Sequence, residues 1–167
     1  KERLSFLSSA ERRKVLSCIN DEEASNLFHD KHACYLKFQK YFRREQICVC
    51  SNNDFAEFRK FCGKVPVFVK KPLVAQKGKG VAPIYIDDTT DLKALMEMLL
   101  NENGPFVAEE MIKTHESINA LNPDSVNTVR VETFFDGRTA TIANAFLRVG
   151  KAGHFVDNGS AGGIIVP

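Results

Sequence analysis

Apolar positions recur at helical spacing early in the chain and at strand spacing late in it, with mixed order between. In SSAERRKVLSCI, Ser8 and Glu11 have the spacing of a capping box, and Val15, Leu16 and Ile19 follow as an apolar stripe. Further helices are expected from near Asp21 to Phe28 and from about His32 to Arg43. QICVC reads as a strand from Gln46 to Cys50. NDFAEFRKFCGK reads as a helix, with Asp54 as its cap, Phe55, Phe58 and Phe61 inward and Gly63 at its end.

Two strand-like runs follow, Val65 to Lys70 and Val81 to Ile86. Lys70 closes the first run, and the segment after it holds Lys71, Lys77, Lys79, Gly78 and Gly80. It is longer than a tight hairpin needs, and it suits a loop that closes over an anion. TTDLKALMEMLLNENG places Leu92, Leu95, Met96, Leu99 and Leu100 on one helical face, stopped by Gly104. PFVAEEMI is a strand running into a connector. From Val126 the pattern alternates, with Asp136-Gly137 as a type I′ hairpin signal and a glycine-rich loop before a last apolar strand. A small α+β lobe thus precedes the start of a larger antiparallel sheet.

Composition narrows the function classes. With 167 residues and a net charge of +2, the chain is sized for one domain or two small lobes, and its charge is too low to argue for nucleic acid or an anionic membrane surface. No run reaches the length of a membrane span and no signal peptide is visible. Five cysteines without a CxxC read as reduced thiols of a cytoplasmic core, CVC (Cys48, Cys50) sharing one strand face. The chain opens at Lys1 and stops at Pro167 after an apolar run, so it reads as part of a longer protein.

Backbone N–H groups in glycine loops and lysine ammonium groups hold phosphates, and QKGKG offers both. It is neither a Walker A loop nor a dinucleotide fingerprint, since GxxxxGK[ST] is absent and the glycines lead into a strand. On spacing alone a solvated, lysine-rich hairpin tip explains it as well.

Taken together, Asp30-Lys31, FVKKP…KGKGV, FVAEEMI, LNPDSVNTVRVETF, AFLRVG and VDNGSAGGI resemble the ATP-grasp superfamily. More narrowly they resemble the sugar-transfer associated ATP-grasp family of bacterial polysaccharide gene clusters. NPDSVNTVRVET with LRVG…VDN…GG is the most specific part. The resemblance implies an α+β, ATP-grasp-like fold. It divides into an N-terminal helical segment (1–43), a small lid subdomain (44–112) and the start of a larger subdomain (113–167).

It also implies roles. Lys31 is the first nucleotide-contacting lysine, and Lys71 is the strand lysine that reaches the α- and β-phosphates, with Lys70 on the opposite pleat as the alternative register. Gly78 and Gly80 belong to the loop over the phosphates, where a side chain would obstruct close approach. Glu109, Glu110, Met111 and Ile112 form the hinge whose main chain binds adenine, and Glu116 is a ribose ligand or ordinary surface charge. Arg130 is a clamp on the γ-phosphate and a developing acyl phosphate, or the partner of Glu132 on the same strand face. Asn127 and Arg148 are substrate candidates. Asp157 and Asn158 bind an acceptor or serve turn chemistry. His115 lies near the nucleotide.

The resemblance implies ATP and Mg²⁺, although the Glu-x-Asn metal pattern of complete members is absent. The expected activity is that of a carboxylate–amine ligase working through an acyl phosphate on a small or sugar-linked substrate, the isolated segment being inactive. Competing readings are a non-catalytic nucleotide- or glycan-binding module and a small-metabolite kinase.

Overall fold

The computed structural model describes residues 8–73 and 80–167. Two compact units follow one another, Lys1–Phe42 and Arg43–Pro167. The first unit holds three helices, α1 (Ser9–Ile19), α2 (Glu22–His29) and α3 (Lys31–Phe42). The Ser8 hydroxyl accepts from the Glu11 N–H while the Glu11 carboxylate accepts from the Ser8 N–H, so the capping box is formed. Asp21 caps α2 through its carboxylate alone, which accepts from the Ala24 N–H. Phe28 stacks on Phe38 across α2 and α3, with ring centroids 5.7 Å apart. The Val15, Leu16 and Ile19 stripe is exposed rather than packed.

The second unit carries two antiparallel sheets. One has the order β1-β4-β2-β3, from β1 (Gln46–Val49), β2 (Val67–Pro72), β3 (Ala82–Tyr85) and β4 (Phe106–Glu110). Helices α4 (Phe55–Cys62) and α5 (Leu92–Asn103) supply its core. Val49, Phe68, Phe106 and Ala108 from the strands meet Phe58, Phe61, Met96 and Leu99 from the helices, all buried. Phe58 lies edge-on to Phe68 and Phe106, at 6.0 and 6.3 Å between centroids. Strand alternation then sends the other set of side chains, including Val69, Lys71 and Glu109, to the opposite face.

Two local expectations are corrected. Asp54 stands at the N-cap of α4 but makes no side-chain cap bond there; Ser51 caps the preceding 3-10 turn, and Asp54 is its capping-box partner, accepting from the Cys50 and Ser51 N–H groups. The β5–β6 hairpin also departs from a type I′ turn. Phe135 pairs with Ala140, so four residues connect the strands, and only Gly137 takes a positive φ (94°). The Asp136 carboxylate accepts from the Arg138 and Thr139 N–H groups, which gives the turn an alternative to the I′ geometry.

The second sheet is the meander β5 (Thr128–Phe135), β6 (Ala140–Val149) and β7 (Ile164–Val166), with a register shift at Glu132/Thr133. Between the sheets lies the short α6 (Glu116–Asn119). No helix among the described residues is long and apolar enough to cross a membrane.

Candidate nucleotide site

A cavity of about 210 Å³ opens between the two sheets of the second unit. Val69, Lys71, Val81, Glu109, Glu110 and Ile112 line it from the first sheet and its connections, and Val126, Thr128, Phe155, Val156, Asp157 and Asn158 from the second. A wider crevice of about 690 Å³ adjoins it at Ile112, Val126 and Phe155, and includes Met111, Lys113 and Asp124.

The charged wall is built on Glu109. This carboxylate is almost fully buried, and Lys71 Nζ closes on its Oε1. Arg44 Nε lies 3.1 Å from the same oxygen, and Gln46 Nε2 donates to Oε2 at 2.9 Å. Burial pushes the Glu109 carboxyl up, but the Lys71 ammonium, the Arg44 guanidinium and the Gln46 amide together outweigh it, and the group titrates below the usual carboxylate range. Two cations therefore meet one ionised carboxylate, and of the two it is Lys71 that lines the cavity. An ammonium has three donors, so Lys71 retains capacity for further acceptors beyond Glu109.

Lys70 is placed differently. Its side chain is buried on the α5 side of the sheet, where Nζ donates to Glu102 Oε2 at 2.7 Å. The strand register thus separates the two lysines, Lys71 toward the cavity and Lys70 toward α5.

The opposite wall is a second polar cluster. Thr128 Oγ1 donates to Asp157 Oδ2 and accepts from Arg148, at 3.1 Å from Nε and 2.7 Å from Nη2. Arg148 Nε also lies 3.4 Å from Asp157 Oδ2, and Nη1 reaches Asn158 Oδ1 at 3.5 Å. Arg148, Asp157 and Asn158 are therefore assembled with Thr128, which sequence reasoning read only as a strand residue.

Asn127 has another task. Its amide nitrogen donates to the Ile118 and Asn122 carbonyls, and its oxygen accepts from Ser125 Oγ and the Gly150 N–H. Its hydrogen-bonding capacity is spent inside the protein, and it fixes the entry to β5. Asn122 Nδ2 donates to Gly150 O at 2.8 Å, and a Cβ on Gly150 would collide with the Ser125 side chain. The NPDSVNT and RVG segments are thus joined in one buried knot that holds β5 against the end of β6.

The remaining expected residues are spread more widely. Gly80 has φ 71°, and a Cβ there would stand 2.8 Å from Pro72 Cγ, so the end of the lysine-rich loop requires glycine. Gly78, Lys77 and Lys79 lie outside the described residues. Glu110 borders the cavity, and its carboxylate accepts from the Glu45 N–H at 3.1 Å. Arg130 shares a strand face with Thr128 but is exposed and does not line the cavity, and its Nε is 3.9 Å from Glu132 Oε1. Glu116 is exposed at the start of α6, and His115 caps that helix through Ser117. Lys31 opens α3 in the first unit.

Arg44, Gln46 and Thr128 are contributors that sequence reasoning missed. Only Gln46 left a trace, as a polar residue at the start of an otherwise apolar strand. Among the described residues no three His, Cys, Asp or Glu side chains gather into a metal-holding group, and Asp157 is engaged by Thr128 and Arg148. These side chains alone do not form the oxygen-rich site that magnesium requires.

A comparison with curated proteins finds no match. Among solved structures the fold is similar to D-alanyl-alanine synthetase A from Vibrio cholerae O1 biovar eltor, with a TM-score of 0.55 at 12% identity. The likeness covers 78% of this chain and 36% of that one, so the chain spans about a third of that protein's length. The model of the sugar-transfer associated ATP-grasp family matches residues 11–167, and the chain belongs to that family.

Proposed function

We propose that this chain carries the nucleotide site of an ATP-dependent ligase that joins a carboxylate to an amine-type acceptor, in the building of bacterial polysaccharide or another cell-surface glycan. The observation that carries the reading is the pairing of the Lys71 ammonium, seated on a Glu109 carboxylate that Arg44 also meets, with apolar walls from Val69, Val81, Ile112, Val126 and Phe155 in one cavity. Such a cavity suits a flat base on its apolar part and anionic oxygens on its cationic part.

ATP supplies a phosphoryl group that converts a carboxylate into an acyl phosphate. Lys71 donates to the phosphate oxygens, and Glu109 fixes the direction of its ammonium. The main chain of Glu110 to Ile112 pairs with the base. Arg130, exposed two residues beyond Thr128 on the same strand face, meets the negative charge that builds on the transferred group. Arg148 and Asn158 hold the acceptor side. Sequestration matters because an acyl phosphate exposed to water hydrolyses.

The test uses the full-length protein in magnesium-containing buffer. ADP release is followed against a panel of amino acids, amino sugars and carboxylated sugars. Release that requires one carboxylate and one amine supports the ligase. Nucleotide binding without turnover on any pair points to a binding module, and release with a hydroxyl acceptor alone points to a kinase.

A further inference from the structure

Glu109 is shared by two cations that differ in what they can reach. Lys71 Nζ and Arg44 Nε both close on its Oε1, Arg44 at 3.1 Å, while Gln46 Nε2 takes Oε2 at 2.9 Å. Lys71 lines the cavity, whereas Arg44 lines neither that cavity nor the adjoining crevice, as the described residues form them. Arg44 stands two residues ahead of Gln46, whose position on β1 pairs directly with Glu109. The residue before it, Arg43, is the one non-glycine among the described residues with a left-handed φ, 50°. Such a conformation is uncommon outside glycine and clusters at functional positions.

A lysine seated on a carboxylate serves a phosphate only as far as the carboxylate lets it go. As Lys71 shifts toward a phosphate oxygen, its hold on Glu109 weakens, and Glu109 is almost sealed from water. A buried charge stripped of its counter-ion is strongly disfavoured. Arg44 removes that obstacle, because it stays on Oε1 whichever way Lys71 points. We propose that Arg44 is a positioning residue for nucleotide binding, the resident counter-ion of Glu109 that releases the Lys71 ammonium to phosphate. This role rests on the nucleotide reading of the cavity and acts through Glu109 and Lys71, not by contact with the nucleotide.

The test is calorimetric titration of ATP, in magnesium-containing buffer, into the full chain and into variants shown to be folded by circular dichroism. Arg44→Met is expected to weaken ATP about tenfold, and Arg44→Lys, which keeps a cation on Glu109, to stay within about threefold of the parent. In a Glu109→Gln background no buried charge is left behind, so Arg44→Met there changes the affinity by less than about twofold. Full ATP affinity in Arg44→Met, a loss in Arg44→Lys as large as in Arg44→Met, or an equal loss with and without the Glu109 charge would overturn the proposal. The equal loss would mean that Arg44 acts on ATP through its own charge. A parent that binds no ATP, or an affinity untouched by Lys71→Ala, would instead overturn the nucleotide reading and this role with it.

A second measurement needs no neutral variant at Arg44. In NMR spectra of the parent, the Arg44 Nε–H signal is assigned by its loss in Arg44→Lys. Its exchange with water is expected to slow when the chain is saturated with ATP, because Arg44 then carries more of the Glu109 charge. Exchange that is unchanged or faster would overturn the proposal.

Discussion

Lys71 and Glu109 stand two positions out of register on the adjacent strands β2 and β4, and their charged ends meet at the cavity wall. Lys71 is a quarter exposed and Glu109 is nearly sealed, so the pair presents its cation to the cavity and hides its anion. Arg44 and Gln46 complete the enclosure of the carboxylate. Removing Glu109 leaves two cations facing one another over a buried wall. Glu109→Ala is expected to cost about 3 kcal/mol of folding stability, read as a lowered urea midpoint.

The same carboxyl sets an acid dependence. Its folded-state titration is lowered relative to the unfolded chain, so its contribution is fully present above the ordinary carboxylate value of about 4.3. That contribution is lost as pH falls below this value and through the lowered folded-state value. The stability difference between the parent and Glu109→Gln, measured in urea at stepped pH, is expected to be constant near neutrality and to shrink in acid.

Asn127 is expected to matter for folding and not for ligand. Asn127→Ala strands the Asn122 carbonyl and strips the Ile118 carbonyl and the Gly150 N–H of one of their two partners in a buried knot, at a cost of about 2 kcal/mol. Urea denaturation reads the loss, while nucleotide affinity of the folded fraction stays unchanged.

Thiol reactivity separates the cysteines. Burial pushes the Cys62 thiol up to about 11, so it remains protonated at neutral pH as well as inaccessible. Cys18 and Cys50 are exposed. Timed alkylation followed by peptide mapping is expected to modify Cys18 and Cys50 in the native chain and Cys62 only after denaturation.

Much of the fold is legible from local signals. The Ser8–Glu11 box, the α5 stripe with Gly104 behind it, and the change to strand period after Val126 each depend on neighbours in sequence. The α+β architecture with antiparallel sheets follows from them. What sequence could not show depends on register and on distant partners. Lys70 and Lys71 are equivalent in sequence, and only the pairing of β2 with β4 and the cover of α5 tell them apart. Arg44 reaches Glu109 across a long stretch of chain, and no periodicity encodes that contact. Asn127 has the chemistry of a ligand-binding amide, but the turns around Asn122 and Gly150 use it up. The Asp136-Gly137 signal misled because the Asp136 carboxylate itself organises the turn.

Calorimetric titration of ATP into the full chain and its Lys71→Ala and Lys70→Met variants tests the cavity assignment most directly. Lys71→Ala is expected to weaken ATP at least about tenfold, the loss of a charge-assisted contact, while Lys70→Met, altered on the α5 side, leaves the affinity near that of the parent. ATP affinity untouched by Lys71→Ala, or lost equally in both variants, would contradict the account.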